Sequence, residues 1–397
     1  MKLTARAGRI VPSPTLSITA TAKAMAAQGL DIVDFASGEP DFDTPDSVKA
    51  AAEASIKAGF TKYTASSGID ELKAAIAKKL ENEQGVRYER AQILVSCGAK
   101  HSLYNLAGAL FEAGDEVIVP APYWVSYPDQ ILLHDATPVF LETHEEDGFA
   151  FSRAALERCL SPRTKAIILN SPCNPTGATY DPRMLEQIAE IAIERDLVVI
   201  SDEIYEKLIY DGVNHVSIAS LGKDIASRTV VVNGVSKAYA MTGWRIGYAA
   251  GPKELIAAMS NIQSQSTSNA CSIAQKAAVA ALQAGTGFTD QMVMEFDRRR
   301  KLMVERLNKI PGISCRMPTG AFYAFPNVGG VLDRRHSSGS LTSPSDLATY
   351  LLSEAKVAVV PGEPFGSRLH MRLSYATGLE AIARGLDRIE AALRKAT

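Results

Sequence analysis

Leu197-Val198-Val199-Ile200-Ser201-Asp202-Glu203-Ile204-Tyr205 is an apolar run that ends in two acids and an aromatic hydroxyl. Its apolar residues are consecutive rather than alternating, so it reads as a strand buried on both faces, as in a parallel sheet. Working outward, compact apolar runs recur at 92–96, 116–120, 165–170, 229–233 and 245–249, separated by amphipathic helical patterns. That rhythm predicts an α/β fold with a mostly parallel central sheet. Such sheets place ligands at the carboxyl ends of their strands, so the informative residues are expected just after the runs.

Toward the C-terminus the alternation breaks down. Apolar segments at 321–325 and 357–360 flank a stretch rich in Gly, Ser and Arg, 329–345, that reads as a surface loop. A helix over 379–394 carries one apolar stripe, Leu379, Ile382, Leu386, Ile389 and Leu393, suited to packing on a small sheet. The expected organisation is an N-terminal arm with part of a small domain over 1–45, a large domain over 46–290 and a smaller C-terminal α/β domain over 291–397.

With 397 residues, 46% of them hydrophobic, the chain can bury a substantial core. A net charge of -2 leaves no basic excess to neutralise a phosphate backbone, which argues against nucleic acid as a partner. The five cysteines, Cys97, Cys159, Cys173, Cys271 and Cys315, form no C-x-x-C pair and suggest neither a metal site nor a disulfide framework. No continuous apolar segment opens the chain or is long enough to span a bilayer, so the expected location is the cytoplasm, with no membrane partner.

Six segments carry candidate chemistry. In Val232-Asn233-Gly234-Val235-Ser236-Lys237-Ala238-Tyr239, a lysine follows a buried strand among small residues. Burial lowers the pKa of an amine and makes it nucleophilic, so Lys237 is a Schiff-base candidate; the competing role is a charge that merely ends the strand. Arg245 follows in a Gly-rich context where a planar fork suits a phosphate. Asp202, at the end of the opening strand, is placed to keep a pyridine nitrogen protonated. At roughly 4 Å and an effective dielectric near 20, that pair is worth about 4 kcal/mol before desolvation. Its competing role is a helix N-cap. Ile93-Leu94-Val95-Ser96-Cys97-Gly98-Ala99-Lys100 reads as strand, glycine turn and helix start, whose free N–H groups suit a phosphate. Ser171-Pro172-Cys173-Asn174-Pro175-Thr176-Gly177 is a rigid turn that would hold the Asn174 amide over the crevice, or a plain structural turn. Pro122-Tyr123-Trp124 offers an aromatic plate or a core tryptophan. Arg372, within His370-Met371-Arg372-Leu373-Ser374-Tyr375, needs an anion, which either a substrate carboxylate or a structural acid would supply.

Taken together with Gly38-Glu39-Pro40-Asp41-Phe42, Lys62-Tyr63 and Met241-Thr242-Gly243-Trp244-Arg245-Ile246-Gly247, these segments resemble the class I aminotransferases of fold type I, and most closely the bacterial-type aspartate aminotransferases. The resemblance runs from about Ser13 to the C-terminus. It implies pyridoxal 5'-phosphate as cofactor, carried as a Schiff base on Lys237, which also shuttles the substrate α-proton. It implies that Asp202 pairs with the pyridinium nitrogen, that Tyr205 and Asn174 bond the ring oxygen, and that Trp124 stacks on the ring. Gly98, Ala99, Lys100, Ser236 and Arg245 then hold the phosphate, joined by Tyr63 from the neighbouring subunit of a homodimer with shared active sites. Gly38, Trp124, Asn174 and Arg372 receive the substrate, Arg372 by gripping its α-carboxylate. The implied reaction is ping-pong transfer through pyridoxamine phosphate.

Side-chain specificity is carried by fewer residues. The stretch Ser264-Gln265-Ser266-Thr267-Ser268 supplies no second arginine for a distal carboxylate. In the bacterial-type subgroup that task falls to residues resembling Lys100, Ser13 and Thr15. The expected substrates are L-aspartate and 2-oxoglutarate, with prephenate as a further acceptor. Subgroup members acting on prephenate often carry a basic residue where this chain has Val11, a departure that weighs against the second activity. Other readings on the same scaffold are an aromatic or alanine aminotransferase, a β-lyase or a cyclopropane-forming synthase, and from another class a non-catalytic pyridoxal-phosphate sensor. A nicotinamide dehydrogenase is disfavoured, because no dinucleotide glycine fingerprint follows any expected strand.

Overall fold

The computed structural model describes residues 3–10, 12, 14–336 and 339–396. Its centre is a seven-stranded sheet in the order Ile93–Ser96, Gly247–Ala250, Thr229–Gly234, Val198–Asp202, Thr164–Asn170, Glu116–Ala121, Thr137–Glu142. All neighbours pair in parallel except Gly247–Ala250, which runs antiparallel to both strands beside it. The sheet is thus mostly parallel, as its unbroken apolar runs require.

Along each strand, successive side chains serve opposite faces. Ile167, Leu169 and Val199 join one apolar layer with Met184, Leu185 and Ile188 of the helix Pro182–Glu194. Ala166, Ile168 and Ile200 join another with Leu103 and Leu106 of the helix Ala99–Leu110 and Ile256 and Met259 of the helix Lys253–Ser266. The helix Pro182–Glu194 starts where Asp181 accepts the Met184 N–H and a proline takes the first turn, a position with no N–H to lose.

Two features of this sheet escape the sequence reading. Thr137–Glu142 is an edge strand: only Leu141 is buried along it, and Pro138 is tolerated because an edge needs no second ladder. Direction also escapes, since an apolar run buried on both faces looks the same whichever way the chain crosses the sheet.

A second core gathers Met292, Phe296 and Met303 of the helix Gly287–Leu307 with Ile382, Leu386, Ile389 and Leu393 of the helix Leu379–Leu393. Against them lies a three-stranded antiparallel sheet of Val360–Pro361, Met371–Ser374 and Tyr323–Ala324. The N-terminal segment enters the same core through Val33–Asp34, which pairs in parallel with Val357–Ala358, and through Phe35. The stretch expected to be a surface loop is more structured than that. It holds a short helical turn, Gly329–Val331, with Val331 buried, and an antiparallel pairing of Arg335–His336 with Gly339–Ser340. Among the described residues, no helix is long and apolar enough to cross a membrane.

Candidate active site

The carboxyl ends of the central strands open onto a cavity of about 400 Å³. Its walls include Gly38, Ala99, Lys100, Trp124, Asn174, Asp202, Tyr205, Ser236, Lys237, Arg245 and Arg372, so residues singled out from separate segments converge here. Gly98 lies at the rim as the N-cap of the helix Ala99–Leu110, at φ 87°. Tyr63 is elsewhere, with its side chain 92% exposed. Ser13 and the side chain of Thr15 lie outside the described residues.

Lys237 enters from the turn after Thr229–Gly234, and its Nζ donates to the Gly38 carbonyl at 2.5 Å. Burial pulls its pKa down to about 8; the Arg372 and Arg245 charges add to that, while Glu39 and Asp202 oppose it. An amine in this range has a substantial neutral fraction near physiological pH, which a nucleophile or a proton carrier needs.

Asp202 reaches the cavity from the end of its strand. Burial pushes its carboxyl up to about 6, against the hydrogen bonds it accepts from the Tyr127 hydroxyl at 2.7 Å and the Ile204 N–H at 3.3 Å. A buried acid so placed gains most from a cation brought against it.

Arg372 is 2% exposed, lying on the strand Met371–Ser374 of the small sheet. Its Nη1 donates to Asn174 Oδ1 at 3.0 Å and its Nη2 to the Ala36 carbonyl at 2.9 Å, while its Nε has no partner among the described residues. Both hydrogen-bond partners are neutral oxygens, and no carboxylate forms a salt bridge with the group among the described residues, though its charge is felt by Asp34. The rings of Tyr323 and Phe365 flank the guanidinium, their centroids 4.5 and 5.1 Å away.

At the helix start, close approach of backbone to backbone is built in. A Cβ on Gly247 would lie 2.1 Å from the Ala99 nitrogen, so only glycine lets this strand meet the helix N-terminus. Arg245 takes the left-handed region, φ 56°, and donates to the Thr242 carbonyl at 2.9 Å and the Cys97 carbonyl at 3.3 Å. That places its guanidinium beside the glycine turn that leads into the helix. Lys100 Nζ stands 4.8 Å from the Trp124 ring centroid, and burial, then Arg245, lowers its pKa.

Sequence reasoning missed Tyr127, which supports Asp202, and Tyr323, whose hydroxyl meets that of Tyr205 at 2.8 Å. Tyr127 follows Trp124 within one turn, a spacing that could have drawn attention; Tyr323 sits in a short apolar run and carried no signal of its own.

The profile of the family described as Aminotransferase class I and II matches residues 30–389 of this chain. The chain belongs to that family. Among similar proteins, the aspartate aminotransferase of Geobacillus stearothermophilus is 46% identical over 389 residues, 98% of each chain. The aspartate/prephenate aminotransferase of Cereibacter sphaeroides is 48% identical over 385 residues, 96% of each. The crystal structure of the aspartate aminotransferase from Rhizobium meliloti superposes with a TM-score of 0.96 at 44% identity, covering 100% of both chains.

Class I and II aminotransferases of this kind depend on pyridoxal phosphate, and the residues present suit it. The cavity holds an amine with a lowered pKa for its aldehyde, a buried acid short of a cation for its ring nitrogen, and a glycine-tightened helix start with Arg245 for its phosphate. Arg372 lines the same cavity, with its two hydrogen-bonded N–H groups directed to neutral oxygens.

Proposed function

We propose that this enzyme moves the amino group between L-aspartate and 2-oxoglutarate, giving oxaloacetate and L-glutamate by a ping-pong route. The observation that carries this reading is the presence in one cavity of Lys237 and a buried Arg372 that forms no carboxylate salt bridge among the described residues. An α-carboxylate held by Arg372 fixes the substrate so that its Cα–H bond faces the lysine. Pyridoxal phosphate, when bound, takes up the amino group and draws off the electron pair left at the α-carbon.

The protein's own residues do the rest. The Lys237 amine holds the cofactor's aldehyde carbon and then moves the proton at the substrate α-carbon. Asp202 keeps the ring nitrogen protonated, supported by the hydroxyl of Tyr127. Tyr205 and Asn174 donate to the ring oxygen, and Trp124 covers one ring face. Gly98, Ala99, Lys100, Ser236 and Arg245 bind the phosphate. Gly38 shapes the substrate seat, and Lys100, with Ser13 and Thr15, meets the distal carboxylate. A flexible ammonium is a less exacting partner than a guanidinium fork, which leaves room for longer acids. The aspartate/prephenate names of several relatives favour prephenate as a second acceptor.

The exposed Tyr63 is assigned to the phosphate site of a second copy in a homodimer, and the two cores to a large domain over 46–290 and a small one over 291–397 with part of 1–45. A panel of amino donors with 2-oxoglutarate, prephenate included as alternative acceptor, tests the specificity. Lys100→Ala is expected to raise KM for aspartate and glutamate at least about tenfold while leaving alanine within about twofold. Equal losses for alanine and aspartate would remove Lys100 from the distal site.

A further inference from the structure

Tyr323 is 1% exposed and stands where the two halves of the site touch. Its hydroxyl lies 2.8 Å from that of Tyr205, its ring packs under the Arg372 guanidinium at 4.5 Å, and a Cβ on Gly38 would come within 3.4 Å of its oxygen. Gly38 in turn gives its carbonyl to Lys237 Nζ. One phenol therefore adjoins the cofactor-side tyrosine, the substrate-side arginine and the backbone that receives the lysine.

Two phenols joined by one hydrogen bond have a direction. If Tyr205 gives its proton to Tyr323, it has none left for the cofactor's ring oxygen. If Tyr323 gives its proton to Tyr205, the Tyr205 proton is free to point into the cavity, and the bond behind it strengthens that donation. The strand Tyr323–Ala324 hydrogen-bonds to Met371–Ser374, in register Tyr323 with Ser374, so the ring under Arg372 is carried by the strand next to the arginine's own. Among the described residues, two of the five guanidinium N–H groups find partners, Asn174 and Ala36, and a flat ring beneath the group fixes the plane in which the others point.

We infer that Tyr323 is a positioning residue with two separable parts: its hydroxyl directs the Tyr205 proton toward the cofactor, and its ring fixes the Arg372 plane for the substrate carboxylate. This rests on the assignments of Tyr205 and Arg372 proposed above. The two parts predict different losses, which a purely structural side chain would not show.

The test titrates the absorbance of the bound cofactor against pH in the loaded enzyme, alongside KM for aspartate. Tyr323→Phe keeps the ring and removes the hydroxyl; its titration midpoint should rise by about half a pH unit with KM within about twofold of wild type. Tyr323→Leu removes both and should add a rise in KM of about tenfold or more. In a Tyr205→Phe background, Tyr323→Phe should move the midpoint no further, because the proton it directs is gone. An unchanged midpoint in Tyr323→Phe, or a full additional shift in the double variant, overturns the hydroxyl role. A KM in Tyr323→Leu equal to that of Tyr323→Phe overturns the ring role. A wild-type enzyme that binds no pyridoxal phosphate would instead sink the functional reading itself, so the two failures are distinguishable.

Discussion

Asp202 and Glu203 are chain neighbours and both are buried, at 4% and 1% exposure, yet they end on opposite sides of the sheet and in opposite electrostatic states. Asp202 looks into the cavity, with one hydroxyl and one N–H for support, and burial holds its carboxyl up at about 6. Glu203 looks the other way, into a polar cluster. It accepts from Ser201 at 3.0 Å, Ser217 at 2.6 Å and Gln84 at 2.8 Å, with the His215 Nε2 3.1 Å away. Burial pushes Glu203 up as well, but the nearby His215, with the hydrogen bonds from Ser217 and Ser201, outweighs it and holds the carboxyl below its ordinary value. Glu206 completes the cluster, paired with Lys79 and bonded by Gln84. Glu203, Glu206 and His215 place their ligand atoms within 4.8 Å of one another, a metal-like spacing in which Lys79 and Gln84 already serve the Glu206 carboxylate. The difference teaches that two acids can be equally buried and yet differ in what meets them: Glu203 is met by a histidine and three neutral donors, and Asp202 by one hydroxyl and one N–H.

The largest effect that would break this comparison is on turnover. Asp202→Asn keeps the size and the Tyr127 contact but removes the charge. With a pair worth about 4 kcal/mol, kcat is expected to fall roughly a thousandfold at saturating cofactor, while the thermal midpoint changes little. Activity within tenfold of wild type would show that the shortfall at Asp202 has no partner to meet.

Glu203→Gln should do the reverse. It removes the carboxylate that holds His215 protonated against burial, so the imidazole gives up its proton and the pair is lost, at a cost of roughly 3 kcal/mol of stability at most. Denaturant unfolding of the loaded enzyme should shift accordingly, with kcat within about fivefold of wild type. A variant as stable as the parent would mean the cluster carries no net stabilisation.

These two acids also mark where the sequence stops being legible. The run Leu197–Ile200 and the sharp onset of charge at Asp202 were visible because a parallel strand is written in consecutive residues, and the same holds for Lys237 and for the glycine turn at Gly98. What was not visible is assembled from distant positions. Tyr127 meets Asp202 across 75 residues, Tyr323 meets Tyr205 across 118, and Gln84 meets Glu203 across 119. Periodicity reports which face of an element is apolar and says nothing about which elements meet. For the same reason a single sequence could not decide between an acid and a substrate as the anion for Arg372; the structure gives its guanidinium two neutral partners, Asn174 and the Ala36 carbonyl. The edge strand Thr137–Glu142 was lost for a different reason, because its apolar run is short and opens on a proline, a residue that argues against a central strand.

The smallest effect sharpens the contrast through pH. Burial alone would lower the His215 pKa, but the Glu203 charge and hydrogen bond, with Glu206, outweigh burial and the opposing Lys79, and hold it above its ordinary 6.5. A group whose folded value is raised stabilises fully below its unfolded value and loses that contribution as pH climbs through the folded one. Glu203, held below its ordinary 4.5, contributes above that value and loses its share as pH falls through the lowered folded one. The pair is therefore strongest between about 4.5 and 6.5, and the loaded enzyme's thermal midpoint should decline by about 2 °C on the alkaline side as the imidazole deprotonates. His215→Gln should be less stable than wild type near pH 6 and converge with it as pH rises. A His215→Gln curve running parallel to wild type across that range would show that the imidazole does not titrate in the cluster, and that Glu203 is held by its neutral donors alone.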